Sequence, residues 1–567
     1  MKFMDILSVL PDKYRKKGVL VAVSLFFRAV LDFAGVVVFI PVLARVLEQD
    51  GDIMSVLPVA GAAMAFILVK SLLVIWLTRY RSRYVYSLYG TLADMLLRNF
   101  MKKGLLFIRQ SNSVDLANKV NAVTMTFTSG VILSLLNILS SAILLIIILA
   151  ALFMYEPLPT LALVLVIGPF MFFYSFFVRN KVKRLGETEN RARRDQARTV
   201  FELFRGYPEY CINGAVEHQM GLFRGGIDKV SEVRIRTESY SAASSGFMEI
   251  TVMLSVILLM LLSMSSSWGM SMTFGIFALA AMKILPSVRS IVAGWQAVQS
   301  SRYSVDVLKE ILSQENEDAL RAMPVSSGRS GYRTGNAVHP PDFSRAISLR
   351  SVSFRYAPEA PELFRNFSME IGKGEYVGIK GHSGAGKTTL FHLLMGFYFP
   401  QSGALYVDDE KITPDNAGEW QSMLGYVPQD VFLINGTFVE NIALGQSPDR
   451  ADRRKIEHIL AKVGLLDWIS SLPHGMDTRL AEAGNSVSGG QKQRIGIARA
   501  LYKGASVLFF DEATSSVDVE AEGEINRFVA GLSREDDSLT VIVIAHRRET
   551  LASCSRIIDL DRIMKTR

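Results

Sequence analysis

The apolar positions of this chain fall into two regimes. Before about residue 300 they form long unbroken blocks, and after residue 346 they come in short bursts separated by glycine, proline and charged residues. Six blocks, 19–47, 56–77, 130–154, 158–177, 247–264 and 273–298, are each long enough to cross a hydrocarbon core of roughly 30 Å as a helix. The loops between them alternate in length and charge. Those at 48–55, 155–157 and 265–272 are short and hold no Lys or Arg, whereas those at 78–129 and 178–246 are long and basic. This bias places the long connections on the cytoplasmic side. Their apolar residues keep helical spacing, as at Leu88, Leu92 and Leu96, which predicts helices that run on past the bilayer. Polar breaks at 110–121 and 206–217 predict short cross-helices. Residues 1–18 are amphipathic, end in Lys13, Arg15, Lys16 and Lys17, and lack a small-residue cleavage site. They read as an interfacial helix and not as a signal peptide.

Composition changes the picture in three places. Hydrophobic residues make up 50% of the 567 and mean hydropathy is +0.26, which fits a chain with a large membrane part. A net charge of +8 would ordinarily raise nucleic acid as a partner, but basic loops beside membrane spans account for it. No nucleic-acid partner is expected. The two cysteines, Cys211 and Cys554, imply no disulfide framework and receive no role.

Ionisable residues inside apolar blocks are costly and call for a partner or a cavity. Arg28 and Asp32 lie four apart on one helical face and are expected to pair. Lys70, Glu249 and Lys283 are also embedded, and Arg289 follows Pro286 by one turn. Lys283 and Arg289 are candidate contacts to an anionic headgroup in a basic cavity. The alternative is snorkelling, or pairing with an acidic neighbour such as Glu249. Residues 313–345 are polar, with Ser326-Ser327-Gly328 and Pro340-Pro341, and read as a flexible linker. The expected organisation is an all-α six-helix membrane domain over 1–312 with long cytoplasmic helical extensions, that linker, and an α/β phosphate-loop ATPase domain over 346–567.

The chemistry lies in the second half. Tyr376-Val377-Gly378-Ile379-Lys380 reads as a strand, and Gly381-His382-Ser383-Gly384-Ala385-Gly386 as a loop. Lys387-Thr388-Thr389 then open an apolar helix. This is G-x-x-x-x-G-K-[ST] between a strand and a helix, where glycines let backbone N–H groups converge on phosphates. Lys387 is placed for the β- and γ-phosphates of ATP, and the Thr388 hydroxyl for Mg²⁺. A second apolar run, Ser506 to Phe510, ends in Asp511-Glu512. An acid at such a strand end can hold Mg²⁺, and its neighbour can activate water. A third, 540–545, ends in His546, and Ser488-Gly489-Gly490-Gln491 precedes a helix.

In this order and spacing the half-chain resembles the nucleotide-binding domain of ABC transporters. The resemblance implies that Tyr356 stacks on adenine and that Gln429, in Tyr426-Val427-Pro428-Gln429, senses Mg²⁺. Val487-Ser488-Gly489-Gly490-Gln491 matches the family signature, with Val487 in place of the usual Leu. Ser515-Ser516-Val517-Asp518 matches the segment after the catalytic glutamate, with Ser516-Val517 for the usual Ala-Leu. Glu512 and His546 match the catalytic glutamate and switch histidine. Two such domains are then expected to close head to tail on two ATP molecules. The partner is a second copy of the chain or a related half-transporter. A membrane half that precedes the ATPase half resembles ABC exporters, and the residues around Asp32-Phe33-Ala34 and Lys283-Ile284-Leu285-Pro286-Ser287 are similar to bacterial flippases of lipid-linked oligosaccharides. The loop 48–55 is too short for the extra outward helix of that group. The implied function is ATP-driven export or flipping of a lipid-like or amphipathic substrate among membrane lipids, in a bacterial inner membrane with N-terminus and ATPase domain cytoplasmic. Export of peptides or hydrophobic drugs, and a regulatory ABC protein without transport, are the other readings.

Overall fold

The computed structural model describes residues 3–47, 53–264, 270–321, 343–480, 487–511, 519–545 and 548–565. It divides into two compact units, Met1–Met101 with Gln110–Arg321, and Lys102–Arg109 with Ala322–Arg567.

The first unit is built of helices, and the expected blocks are helical where described. They are Asp12–Val37 continued by Phe39–Leu47, then Ile53–Lys102, Leu133–Tyr155, Pro157–Arg205, Val216–Met264 and Met270–Ser300. Four stretches among the described residues are long and apolar enough to cross a membrane. The first block is not a single helix. It breaks at Val38, because Pro41 offers no N–H to the Val37 carbonyl and its ring crowds that carbonyl. Ile53–Lys102 has 50 residues, a length of about 75 Å. That is more than twice a hydrocarbon core, so the expected extension beyond the bilayer follows. Apolar side chains such as Val19, Leu68, Leu72 and Trp76 point outward, while Ala29, Leu144, Ile148, Met248, Phe277 and Val288 form a buried cluster. An apolar exterior suits lipid as solvent.

Two expectations shift. A short helix, Ser113–Asn118, falls within 110–121 as expected, but another, Gly104–Gln110, precedes it unforeseen. Leu105 and Leu106 give Gly104–Gln110 an apolar side, so a search for polar breaks overlooks it. The second cross-helix, Tyr207–Ile212, falls within 206–217. The helix Arg302–Arg321 also takes in the start of the expected linker. No Gly or Pro interrupts the chain between Arg302 and Pro324, so nothing there stops a helix. Residues 322–342 lie outside the described residues.

The second unit contains two sheets. β1 (Ala346–Phe354), β2 (Phe364–Gly372), β4 (Ser402–Val407) and β5 (Glu410–Lys411) pair antiparallel in the order β2-β1-β4-β5. β3 (Tyr376–Lys380), β6 (Leu424–Val427), β7 (Val507–Asp511), β8 (Thr540–Ile544) and β9 (Arg556–Asp559) form a parallel sheet, ordered β6-β7-β8-β3-β9. β7 and β8 are buried along their whole length, which is why they read as continuous apolar runs. Phe391, on the helix Lys387–Leu394, meets Phe509 of β7 edge to face at 5.1 Å between ring centres. Leu105 and Leu106 pack against the same core.

Candidate functional site

β3 ends at Lys380 and β7 at Asp511, with β8 between them. The loop 381–386 and Asp511 therefore emerge along one carboxyl edge of the parallel sheet, where open α/β sheets bind ligands. The loop turns through Gly384 at φ 88° and Gly386 at φ 85°, in the left-handed region that side chains disfavour. Gly386 starts the helix Lys387–Leu394. Lys387 is buried, and its ammonium donates to the Gly381 and His382 carbonyls at 3.0 Å each. An ammonium held at this loop favours an arriving phosphate.

Thr388 Oγ1 donates to Asp511 Oδ1 at 3.4 Å, and the Tyr426 hydroxyl donates to Oδ2 at 3.5 Å. Burial first, and then the Asp511 carboxylate, push the Tyr426 hydroxyl up in pKa, so it remains a donor. Thr388 Oγ1 and the Asp511 carboxylate are hard oxygen donors of the kind Mg²⁺ takes, and they would hold it here. The residues fit the group. Tyr356 stands half-exposed, its hydroxyl hydrogen-bonded to that of Thr389. Its ring meets Phe354 and Tyr398 edge to face, which leaves a face for a planar base. Beside it lies a cavity of about 510 Å³ lined by Lys103, Leu106, Arg355, Tyr398 and Gln401.

Gln429 follows β6 and is exposed. Ser488 and Gln491 have a structural task that the motif alone did not reveal. Ser488 Oγ accepts from the Gln491 N–H at 3.3 Å, and Gln491 Oε1 accepts from the Ser488 N–H at 2.9 Å. This reciprocal cap starts the helix Gly489–Lys503, with Gly489 and Gly490 in its first turn. Glu512 and His546 lie outside the described residues, as do Ser515 to Asp518. Of the residues described, the structure gathers the phosphate loop, Thr388, Thr389, Tyr356 and Asp511. Tyr426 joins them unforeseen, since an aromatic in a strand carries no signal of its own.

The membrane-depth charges sort differently. Arg289 is not an open cation, because its guanidinium pairs with Glu249 at 3.2 Å. The acidic-neighbour alternative holds for it. Lys283 is half-buried and pairs with no carboxylate among the described residues. Asp32 accepts Arg28 at 3.7 Å, as expected, but Lys70 more closely at 2.9 Å. The lysine passes close over Gly35, where a Cβ would lie 2.7 Å from Lys70 Nζ. Arg81 donates to Asn137 at 2.5 Å and faces the like charge of Arg28. Sequence reading passed over Arg81, since it looks like one more basic residue of a cytoplasmic connection.

Residues 364–515 match the family model described as ABC transporter. Alpha-hemolysin translocation ATP-binding protein HlyB of Proteus vulgaris is 34% identical over 286 residues, 50% of this chain and 38% of that protein. The chain therefore spans well under half the length of that curated relative. An ATP-dependent lipid A-core flippase of Cupriavidus metallidurans is 27% identical over 508 residues, 87% of this chain and 82% of its own. Among solved structures, a bacterial Atm1-family ABC exporter with ATP bound superimposes with a TM-score of 0.77 at 21% identity, covering 97% of this chain and 94% of that one. At that identity the likeness speaks for fold. Residues 364–515 thus carry an ABC transporter ATPase domain behind a membrane-type helical unit, the chain as a whole has the fold of that exporter, and together these support an ABC exporter half-transporter.

Proposed function

We propose that this half-transporter pairs with a second copy of itself, or with a related half-transporter, and uses ATP to flip a lipid bearing a phosphate or pyrophosphate headgroup. A lipid-linked oligosaccharide is the substrate class in view. The membrane is the bacterial inner membrane, with the N-terminus and ATPase unit in the cytoplasm. One observation carries the substrate reading. Arg28 and Lys70 share one carboxylate, Asp32, and Arg81, bonded to the neutral Asn137, adds its like charge to that of Arg28. Among the described residues no second acid pairs with any of them. An uncompensated cation at membrane depth costs about 3 kcal/mol, so the cluster favours an anionic ligand. Lys283 would extend this basic surface, and Arg289 would join it on release from Glu249.

In the ATPase unit Lys387 would bind the β- and γ-phosphates, and Tyr356 would stack on adenine. Thr388, Asp511 and Gln429 would hold Mg²⁺, which neutralises developing phosphate charge. Glu512 would accept a proton from the attacking water and His546 would orient the γ-phosphate. Ser488 of the partner subunit, with its Gly489–Gln491 turn, would close on that phosphate from the other side.

The alternative is a peptide or hydrophobic-drug exporter. Its support is the alpha-hemolysin translocation relative, whose likeness stops at half of this chain. The lipid A-core flippase covers nearly all of it. Proteoliposome ATPase assays decide between them. A pyrophosphate-linked glycolipid should stimulate hydrolysis, and Arg28→Gln with Arg81→Gln should abolish the stimulation while basal hydrolysis persists. Stimulation by a peptide or a neutral drug, with none by anionic lipid, would overturn the reading.

A further inference from the structure

The peptide unit between Gly381 and His382 has a charge at each end. Its carbonyl, that of Gly381, accepts from the Lys387 ammonium at 3.0 Å. Its N–H, that of His382, donates to the Asp561 carboxylate, 3.0 Å from Oδ2 and 3.2 Å from Oδ1. The same carboxylate lies 2.6 Å from His382 Nδ1. Asp561 is itself held in place. Asp559 accepts from the Asp561 and Arg562 N–H groups at 3.1 and 3.3 Å and pairs with Lys380 at 3.1 Å. The packing at Gly381 is close, for a Cβ there would lie 3.1 Å from Ala385 Cβ and 3.4 Å from Asp561 Oδ1.

We propose that Asp561 is a positioning residue for ATP, fixing the Gly381–His382 peptide so that the phosphate loop is ordered before nucleotide arrives. The inference rests on the phosphate-loop reading of residues 381–389. Lys387 must leave its carbonyls to reach the phosphates, whereas Asp561 need not move. It therefore holds the loop through the exchange. Without it, the cost of ordering a glycine-rich loop falls on the binding step. Apparent affinity then drops by the fraction of molecules whose loop is ordered. Asp561 does not touch the reacting atoms, so turnover of bound ATP is spared.

The test uses the full chain, with steady-state hydrolysis and equilibrium ATP binding measured together. Asp561→Ala should raise KM and Kd about five- to tenfold with kcat within about twofold. Asp561→Asn keeps an uncharged acceptor for the peptide N–H and should raise them about two- to threefold. His382→Ala leaves that N–H in place, so its effect should be smaller than that of Asp561→Ala. An unchanged KM in Asp561→Ala, a fall in kcat alone, or an equal effect of His382→Ala would overturn the proposal. If Asp561→Ala does not fold, Asp561→Asn decides: a raised KM supports the role and an unchanged KM removes it. A wild-type chain that fails to bind ATP would instead defeat the phosphate-loop reading itself.

Discussion

Thr388 and Asp511 are 123 residues apart, yet the hydroxyl of one lies 3.4 Å from the carboxylate of the other. The contact joins the helix after β3 to the end of β7 across the intervening β8, and it brings together two oxygen donors that would hold Mg²⁺. Asp511→Asn should lower hydrolysis on the order of 100-fold and raise the Mg²⁺ needed for half-maximal rate. Glu512→Gln should abolish turnover while ATP remains bound and trapped, because the amide keeps the shape but accepts no proton. Nucleotide retention after rapid gel filtration separates the two. Near-normal turnover in Glu512→Gln would remove that residue from the catalytic role.

Ser488 caps its helix as well as standing in the family motif, so substitutions there have two effects. Losing the cap costs about 1 kcal/mol, and Ser488→Asn should restore the cap without restoring hydrolysis. Ser488→Arg chains mixed with Lys387→Ala chains should form dimers in which one composite site escapes both lesions. Trapped nucleotide at half the wild-type stoichiometry is the expected readout. Its complete absence from mixed dimers would count against a site shared between subunits.

His392 gives the ATPase unit a defined acid limit. Burial first, and then the charge of Arg109, bring its pKa down to about 4 from an ordinary 6.5. The unfolded chain thus takes up this proton near pH 6.5, and the folded chain only near pH 4. Its contribution to stability is full above about pH 6.5 and declines as pH falls toward 4, by at most about 1.4 kcal/mol per pH unit. Thermal unfolding at pH 7.5 and pH 5 should show a smaller drop for His392→Gln than for wild type. Equal drops would mean the histidine is not the titrating group.

The phosphate loop was legible from the chain because its parts are contiguous: a strand, a glycine turn, a lysine and a helix start. The membrane helices were legible for a related reason. A helix facing lipid must be apolar around most of its circumference, and that leaves a long unbroken block in the sequence. Partners from another element were less legible. The sequence left Arg289 open between a cavity and an acidic neighbour such as Glu249, which the structure pairs with it, and Arg28 does meet Asp32, but Lys70 from the next helix lies nearer. Gly104–Gln110 was missed because its apolar side resembles ordinary helix periodicity. Asp561 had no local mark at all, since an acid just past a strand end is indistinguishable from a solvated one. Its contact with His382 spans 179 residues and exists because β9 lies next to β3 in the sheet. Spacing along the chain determined which groups could act together within one turn or loop. Strand order and helix rotation, set by burial of the core, decided every pairing between elements.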